Sequence, residues 1–283
     1  MTPLNLEAEL RQLLNTRLSA VNTAGCHFSP VKGLTGDSWR IDGEGISLLA
    51  LKQTAEKGAL GVSRKREARL LRRCGMGLGP QVLAQSNHWI IVEWLTGKSV
   101  TNEGFDALNQ CGELAAMAAG LHRRPFSGYR LNLQRQFASY WQQLDKRRLT
   151  PAWLRCQQHF LRITPPTPLQ LAPLHMDIHP GNLITSAAGL RLIDWEYAAD
   201  GDVALDIAAL FRSNNWASTQ QQCFLQHYAQ HGYPDEARLC AQVQRWLPWV
   251  DYLMLMWFEA RWQQSGDAEF LHWGGAMLRQ RFC

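Results

Sequence analysis

Leu174-His175-Met176-Asp177-Ile178-His179-Pro180-Gly181-Asn182-Leu183-Ile184, followed by Leu190-Arg191-Leu192-Ile193-Asp194-Trp195-Glu196, is the stretch on which the reading of this chain turns. Two short apolar runs, Leu183 to Thr185 and Leu190 to Ile193, flank Ser186-Ala187-Ala188-Gly189, which has the composition of a hairpin turn. Closing that hairpin sets Asn182 opposite Ile193 and brings Asp194 beside Asn182. Asp177 precedes the same end of the hairpin across a Pro-Gly turn. Two carboxylates and a carboxamide thus converge from a single local element.

The spacing His-x-Asp-x-x-x-x-Asn, with a second Asp after an apolar strand, matches the catalytic-loop pattern of protein-kinase-like enzymes. Phosphoryl transfer to an alcohol needs an acceptor for the hydroxyl proton, and metal ions to neutralise charge on the transferring phosphate. Asp177 is the expected catalytic base. Asn182 and Asp194 are the expected Mg2+ ligands, since magnesium takes hard oxygen donors beside nucleotide phosphates. His175 is expected to brace the loop by hydrogen bonds, and Asp206 to brace it from a helix start.

Outward from this loop the chain resembles the aminoglycoside phosphotransferase and choline kinase family, small-molecule relatives of protein kinases. The loop and hairpin carry that likeness, and it extends toward one member of the family through Pro173 to Asp177, Leu192-Ile193-Asp194-Trp195-Glu196-Tyr197-Ala198, Gly201-Asp202, and the Trp-rich segments Arg245 to Trp249, Trp257-Phe258-Glu259 and Arg261-Trp262. It is close from about Leu171 onward and looser before. The resemblance implies an α+β, bilobal protein-kinase-like fold with ATP in the cleft and the alcohol in the larger lobe.

The remaining sequence fits that plan. Short β-like runs at Ser38 to Ile41, Ile46 to Lys52 and Trp89 to Trp94 predict an antiparallel sheet, with one helix over Ser63 to Arg73. Residues 1–95 are therefore expected to form a small β-rich N-lobe, opened by an amphipathic helix with Leu4, Leu6, Leu10, Leu13, Leu14 and Leu18 at helical spacing. Residues 96–283 are expected to form a mainly α-helical C-lobe, including a helix over Ala107 to His122 and a stiff Thr164–Pro168 connector. Gly33, Gly36 and Ser38 occupy the place of a phosphate-covering loop. Lys52 matches the kinase lysine that reaches the phosphates, Glu67 is its expected ion-pair partner, and Glu93 and Leu95 lie at the hinge facing the nucleobase.

For the acceptor, an organic cation is favoured by aromatic faces, a desolvated contact being worth about 2 kcal/mol or more. Trp195, Glu196, Trp249, Trp257 and Glu259 are the candidate binding residues. Thiamine, a thiazolium with a primary alcohol, suits such a site, and the resemblance favours it as substrate. Choline, an aminoglycoside or a sugar are the alternatives, as is a kinase-like binding module without turnover. Trp246, Val250, Leu253 and Trp257 also form a stripe of the kind that faces a core.

Composition sets outer bounds. The 283 residues are 46% hydrophobic and 19% charged, which excludes a disordered or fibrous chain. The net charge of +5 comes wholly from residues 1 to 100, which hold 13 Lys/Arg against 8 Asp/Glu. Its densest part is Arg64, Lys65, Arg66, Arg69, Arg72 and Arg73, expected to be a solvated face. Without interleaved aromatic residues it gives little support for nucleic-acid binding. Seven cysteines without a C-x-x-C pair suit a reducing compartment. No signal-like start and no apolar run of about 20 residues is present, so a cytoplasmic, membrane-free protein is expected, with a monomer assumed.

Overall fold

The computed structural model describes residues 3–18, 23–31 and 38–281. Gly33 and Gly36 lie outside them. Strands β1 (His27–Val31), β2 (Ser38–Gly43), β3 (Ile46–Lys52), β4 (Val82–Gln85) and β5 (Trp89–Glu93) form an antiparallel sheet in the order β1-β2-β3-β5-β4. Strand alternation gives it two apolar faces. Ile41, Leu48, Ala50, Trp89 and Ile91 pack under Leu10 and Leu14 of helix α1 (Pro3–Arg17). Leu49, Leu51, Ile90 and Val92 belong to the interior shared with Leu70 and Leu71 of α3 (Arg64–Cys74). Between β3 and α3 stands a short helix, α2 (Ala55–Ala59), begun by Thr54, whose side chain accepts from the Lys57 amide.

The chain leaves the sheet at Trp94, whose amide bonds to Ser47 O at 3.0 Å. It crosses through Gly97, where a Cβ would meet Thr185 O at 2.4 Å, so only glycine fits. Strand β6 (Lys98–Ser99) then joins the hairpin of β8 (Leu183–Ser186) and β9 (Gly189–Leu192). The helix expected over Ala107 to His122 is two, α4 (Asn102–Gln110) and α5 (Glu113–His122), divided where Gly112 takes a φ of 84°. Helices α6 (Leu133–Trp141) and α7 (Pro151–Arg162) follow. Strand β7 (Leu171–Leu174) pairs antiparallel with β10 (Ala199–Asp202), and α8 (Val203–Ser213), α9 (Ser218–His231), α10 (Glu236–Ser265) and α11 (Ala268–Arg281) complete the larger lobe. The fold is the expected α+β, bilobal, protein-kinase-like one.

The interior does not divide at the lobe boundary. One buried cluster runs from Leu60, Leu70, Ile90 and Val92 of the sheet lobe through Trp195, Leu174 and Phe211 to Trp246 and Leu255 of α10. Its aromatic centre stacks Phe160 on Tyr252 at 4.4 Å and sets Phe160 against Trp249 at 5.2 Å. Among the described residues no helix is long and apolar enough to cross a membrane.

Candidate functional site

The loop after β7 is held by a buried carboxylate. Asp206, in the first turn of α8, accepts the amide protons of His175 at 3.2 Å and Met176 at 2.6 Å. It also meets His122 Nε2 at 3.0 Å, and His122 Nδ1 meets Tyr228 Oη at 2.6 Å. Burial alone would push the Asp206 carboxyl up. The hydrogen bond and charge of His122 and the Met176 amide outweigh it and hold the group below the ordinary carboxylate range. His175 is fully buried, and its Nε2 donates to Ile193 O at 3.0 Å, tying the loop to the end of β9. That burial lowers its pKa, despite the opposing charges of Asp177 and Asp206.

Asp177, Asn182 and Asp194 come together as the hairpin spacing requires. Leu183 pairs with Leu192, and the Ile193 amide bonds to Asn182 O at 2.9 Å, one residue before Asp194. Asn182 Nδ2 donates to Asp177 O and Oδ2, both at 2.9 Å. Both bonds use the amide nitrogen, so the Asn182 amide oxygen is not engaged by Asp177. His179 Nδ1 accepts the Gly181 amide at 3.1 Å, which leaves the ring proton on Nε2, 3.7 Å from Asp177 Oδ2. That carboxylate raises the His179 pKa against the opposing effect of burial.

Asp194 has a left-handed backbone, φ 61°. Its side chain has an exposed edge, while neighbouring protein limits how far water solvates the carboxyl. Poor solvation, then the negative charges of Glu196, Glu67 and Asp177, push its pKa up to about 7, with Arg64 opposing. A carboxylate beside an amide oxygen is a donor set that suits a hard divalent cation.

The sheet side departs from expectation. Lys52 pairs with Trp89 across the sheet, and its Nζ stands 5.5 Å from the Trp89 ring, on the α1 face rather than the α3 face. Glu67 is buried and bound by Arg64 Nη1 at 2.5 Å. The Lys52–Glu67 pair is therefore not formed, because strand alternation turns Lys52 away from α3. Ser38 pairs with Leu51 at the start of β2. Glu93 Oε2 accepts the Gln81 amide at 3.0 Å and lies 3.6 Å from Arg191, while Leu95 is half-buried just beyond β5. Arg40, one strand in, lies 4.4 Å over the Trp94 ring.

Of the acceptor candidates, the structure leaves one open. Trp195 is fully buried, its Nε1 bonded to Leu192 O at 2.7 Å, and Trp249 lies inside the aromatic centre. Glu259 is buried against Arg148 at 3.0 Å. Glu196 is buried and bound to Lys57 at 2.6 Å and Arg64 at 3.3 Å, so its charge is already matched. Trp257 is half-buried and donates to Tyr197 Oη at 2.8 Å. Sequence reading passed over Tyr197, Lys57 and Arg64 as site residues; Tyr197 had one signal, its place three positions after Asp194. The basic helix is also less solvated than expected. Arg64 is buried, Arg66 donates to Gly61 O and Glu196 O, and Arg69 to Ser127 O.

A kinase-like cleft with a loop and hairpin presenting Asp177, Asn182 and Asp194 defines a small-molecule phosphotransferase. The Phosphotransferase enzyme family model matches residues 39–241, and the chain belongs to that family. The chain is 37% identical over 257 residues to a thiamine kinase of Escherichia coli O139:H28 (strain E24377A / ETEC), covering 89% of this chain and 90% of that one. Its fold is similar to that of a choline kinase from Streptococcus pneumoniae, with a TM-score of 0.74 at 15% identity, over 96% of this chain and 98% of that one. It is also similar to an aminoglycoside 2'-phosphotransferase-IIIa solved as its GDP complex, with a TM-score of 0.65 at 14% identity, over 97% and 98% of the two chains.

Proposed function

We infer that the protein transfers the γ-phosphoryl group of ATP to the hydroxyl of thiamine, giving thiamine phosphate and ADP, and that it acts in the cytoplasm. The carrying observation is the convergence of Asp177, Asn182 and the residue before Asp194 within 2.9 Å hydrogen bonds. The substrate follows from the relative at 37% identity, supported by the half-buried Trp257 and its partner Tyr197.

In this reading Asp177 accepts the proton of the thiamine hydroxyl as its oxygen bonds to the γ-phosphorus and the bond to the β-phosphate oxygen breaks. Asn182 fixes the Asp177 carboxylate through Oδ2, leaving Oδ1 for the hydroxyl. His179 faces the same carboxylate, with Nε2 3.7 Å from Oδ2. Asn182 and Asp194 would hold magnesium, which when bound supplies neutralisation of charge on the transferring phosphate. Tyr197 and Trp257 offer an aromatic wall for the thiazolium.

The test is turnover with ATP and magnesium against thiamine, choline, an aminoglycoside and a sugar, with Asp177→Asn in parallel. Selectivity for thiamine and a loss of about 10²-fold or more in the variant is the expected result. Turnover with a different alcohol overturns the substrate, and full activity in Asp177→Asn overturns the base.

A further inference from the structure

The cation that links the sheet lobe to the metal side of the cleft is not the one the sequence spacing indicates. Lys52 faces α1, and Glu67 is taken by Arg64. We propose that Lys57 and Arg64, by holding Glu196 between them, position Asp194 and thereby set the affinity for magnesium-bound nucleotide. The proposal rests on the assignment of Asp194 as a magnesium ligand.

Lys57 stands on α2, a helix of five residues, and is 3% exposed. Taking an ammonium group out of water is expensive, and such a group persists where an opposite charge meets it at close range. Its Nζ lies 2.6 Å from Glu196 Oε2, and Arg64 Nη2 reaches the same oxygen at 3.3 Å. Arg66 Nη2 donates to the main-chain oxygen of Glu196 at 2.8 Å. Three cations from two neighbouring helices thus fix both the side chain and the backbone of one residue, two positions after Asp194.

That fixation matters because Asp194 holds a left-handed backbone, an unfavourable conformation for a residue with a side chain. On its N-terminal side, Ile193 is clamped by Asn182 O and by His175 Nε2. Glu196 is the matching anchor on the C-terminal side. Lys57 in turn is not on a free arm. Tyr140 Oη and Gln136 Nε2 of α6 both donate to Leu60 O at 2.9 Å, and Gln143 Nε2 donates to Ala59 O at 2.6 Å. The helix carrying Lys57 is therefore strapped to the larger lobe. Lys57, Arg64 and Arg66 meet the charges of Glu67 and Glu196, and Asp194 is left to face the cation.

The experiment measures binding of a non-hydrolysable ATP analogue to the full chain by calorimetry, with magnesium and with EDTA, alongside kcat and the KM for the alcohol. Lys57→Met is expected to weaken magnesium-nucleotide binding by about tenfold or more, with EDTA binding and the alcohol KM held within about twofold. Lys57→Arg should recover most of the loss. Lys57→Met combined with Glu196→Gln should bind no worse than Glu196→Gln alone.

An equal loss with and without magnesium overturns the proposal in favour of direct phosphate contact. A change confined to the alcohol KM, or to thermal stability, overturns it as well. Asp194→Asn separates the underlying assignment. If the magnesium-dependent increment is lost there but kept in Lys57→Met, the positioning role alone fails. If it is kept in both, the assignment of Asp194 fails with it. Neither result depends on which alcohol is the acceptor.

Discussion

The Met176 amide lies 2.6 Å from an Asp206 carboxylate oxygen, and Met176 itself is at φ 69°. The left-handed region costs a residue with a side chain about 1–2 kcal/mol. The charged, fully enclosed acceptor offsets that cost by bonding two successive amides. Asp206→Ala leaves both amides and His122 without their partner, and is expected to lower the unfolding free energy by about 3 kcal/mol or more. Urea denaturation checks it, and a loss below about 1 kcal/mol would contradict the bracing role.

Position 176 itself separates backbone from packing. Met176→Gly removes the conformational cost while losing a half-buried side chain, so its stability is expected within about 1 kcal/mol of the unsubstituted chain. Met176→Val meets the same backbone with a β-branched side chain, and is expected to cost about 2 kcal/mol or more. Equal stabilities for the two variants would show that backbone conformation does not decide the outcome.

His175 gives the fold a pH dependence of definite sign. Its pKa is depressed by burial, so between the unfolded value, about 6.5, and the folded one the unfolded chain binds the extra proton. The stability it contributes is complete above about pH 6.5 and declines as the pH falls below that. Asp206, also depressed, adds its own loss only near and below about pH 4. Asp194 and His179, both raised, act with the opposite sign, so the test is the difference between the two chains. In denaturant titrations from pH 8 to pH 5 His175→Gln should gain stability relative to the unsubstituted chain, and identical slopes would refute the assignment.

The tryptophans on α10 are expected to divide by burial. Trp257→Leu should raise the KM for thiamine by about tenfold, with little effect on stability. Trp249→Leu opens the packed centre around Phe137, Phe160 and Tyr252, and should cost about 2–4 kcal/mol while leaving the KM unchanged. Steady-state kinetics and thermal melts on the same preparations decide it. An unchanged KM in Trp257→Leu would move the acceptor site elsewhere.

What could be read in the sequence was what chemistry and neighbours decide locally. The pairing of Leu183 with Leu192 follows from two apolar runs and a four-residue turn, and with it the approach of Asp194 to Asn182. Strand β10 was illegible because Ala199-Asp200-Gly201-Asp202 has no strand-forming residue, and its pairing comes from β7. The helix α2 was missed because five residues give no period to count. The Lys52–Glu67 pair cannot be read from spacing, because a one-position change reverses the side of a strand, and the register with Trp89 fixes which side Lys52 takes. Glu196 meets Lys57 and Arg64 across 139 and 132 positions, a separation no pattern of spacing reports.

The shared interior has a consequence for how the molecule comes apart. Ile90 and Val92 belong to the same apolar cluster as Trp195 and Leu255, and Leu60 O is bonded by two side chains of α6. A chain severed near Gly97 would expose one half's interior on each fragment, so neither piece is a module that could be transplanted or expressed by itself. The cleft is a groove cut into one cooperative body, and heat should melt that body in a single transition.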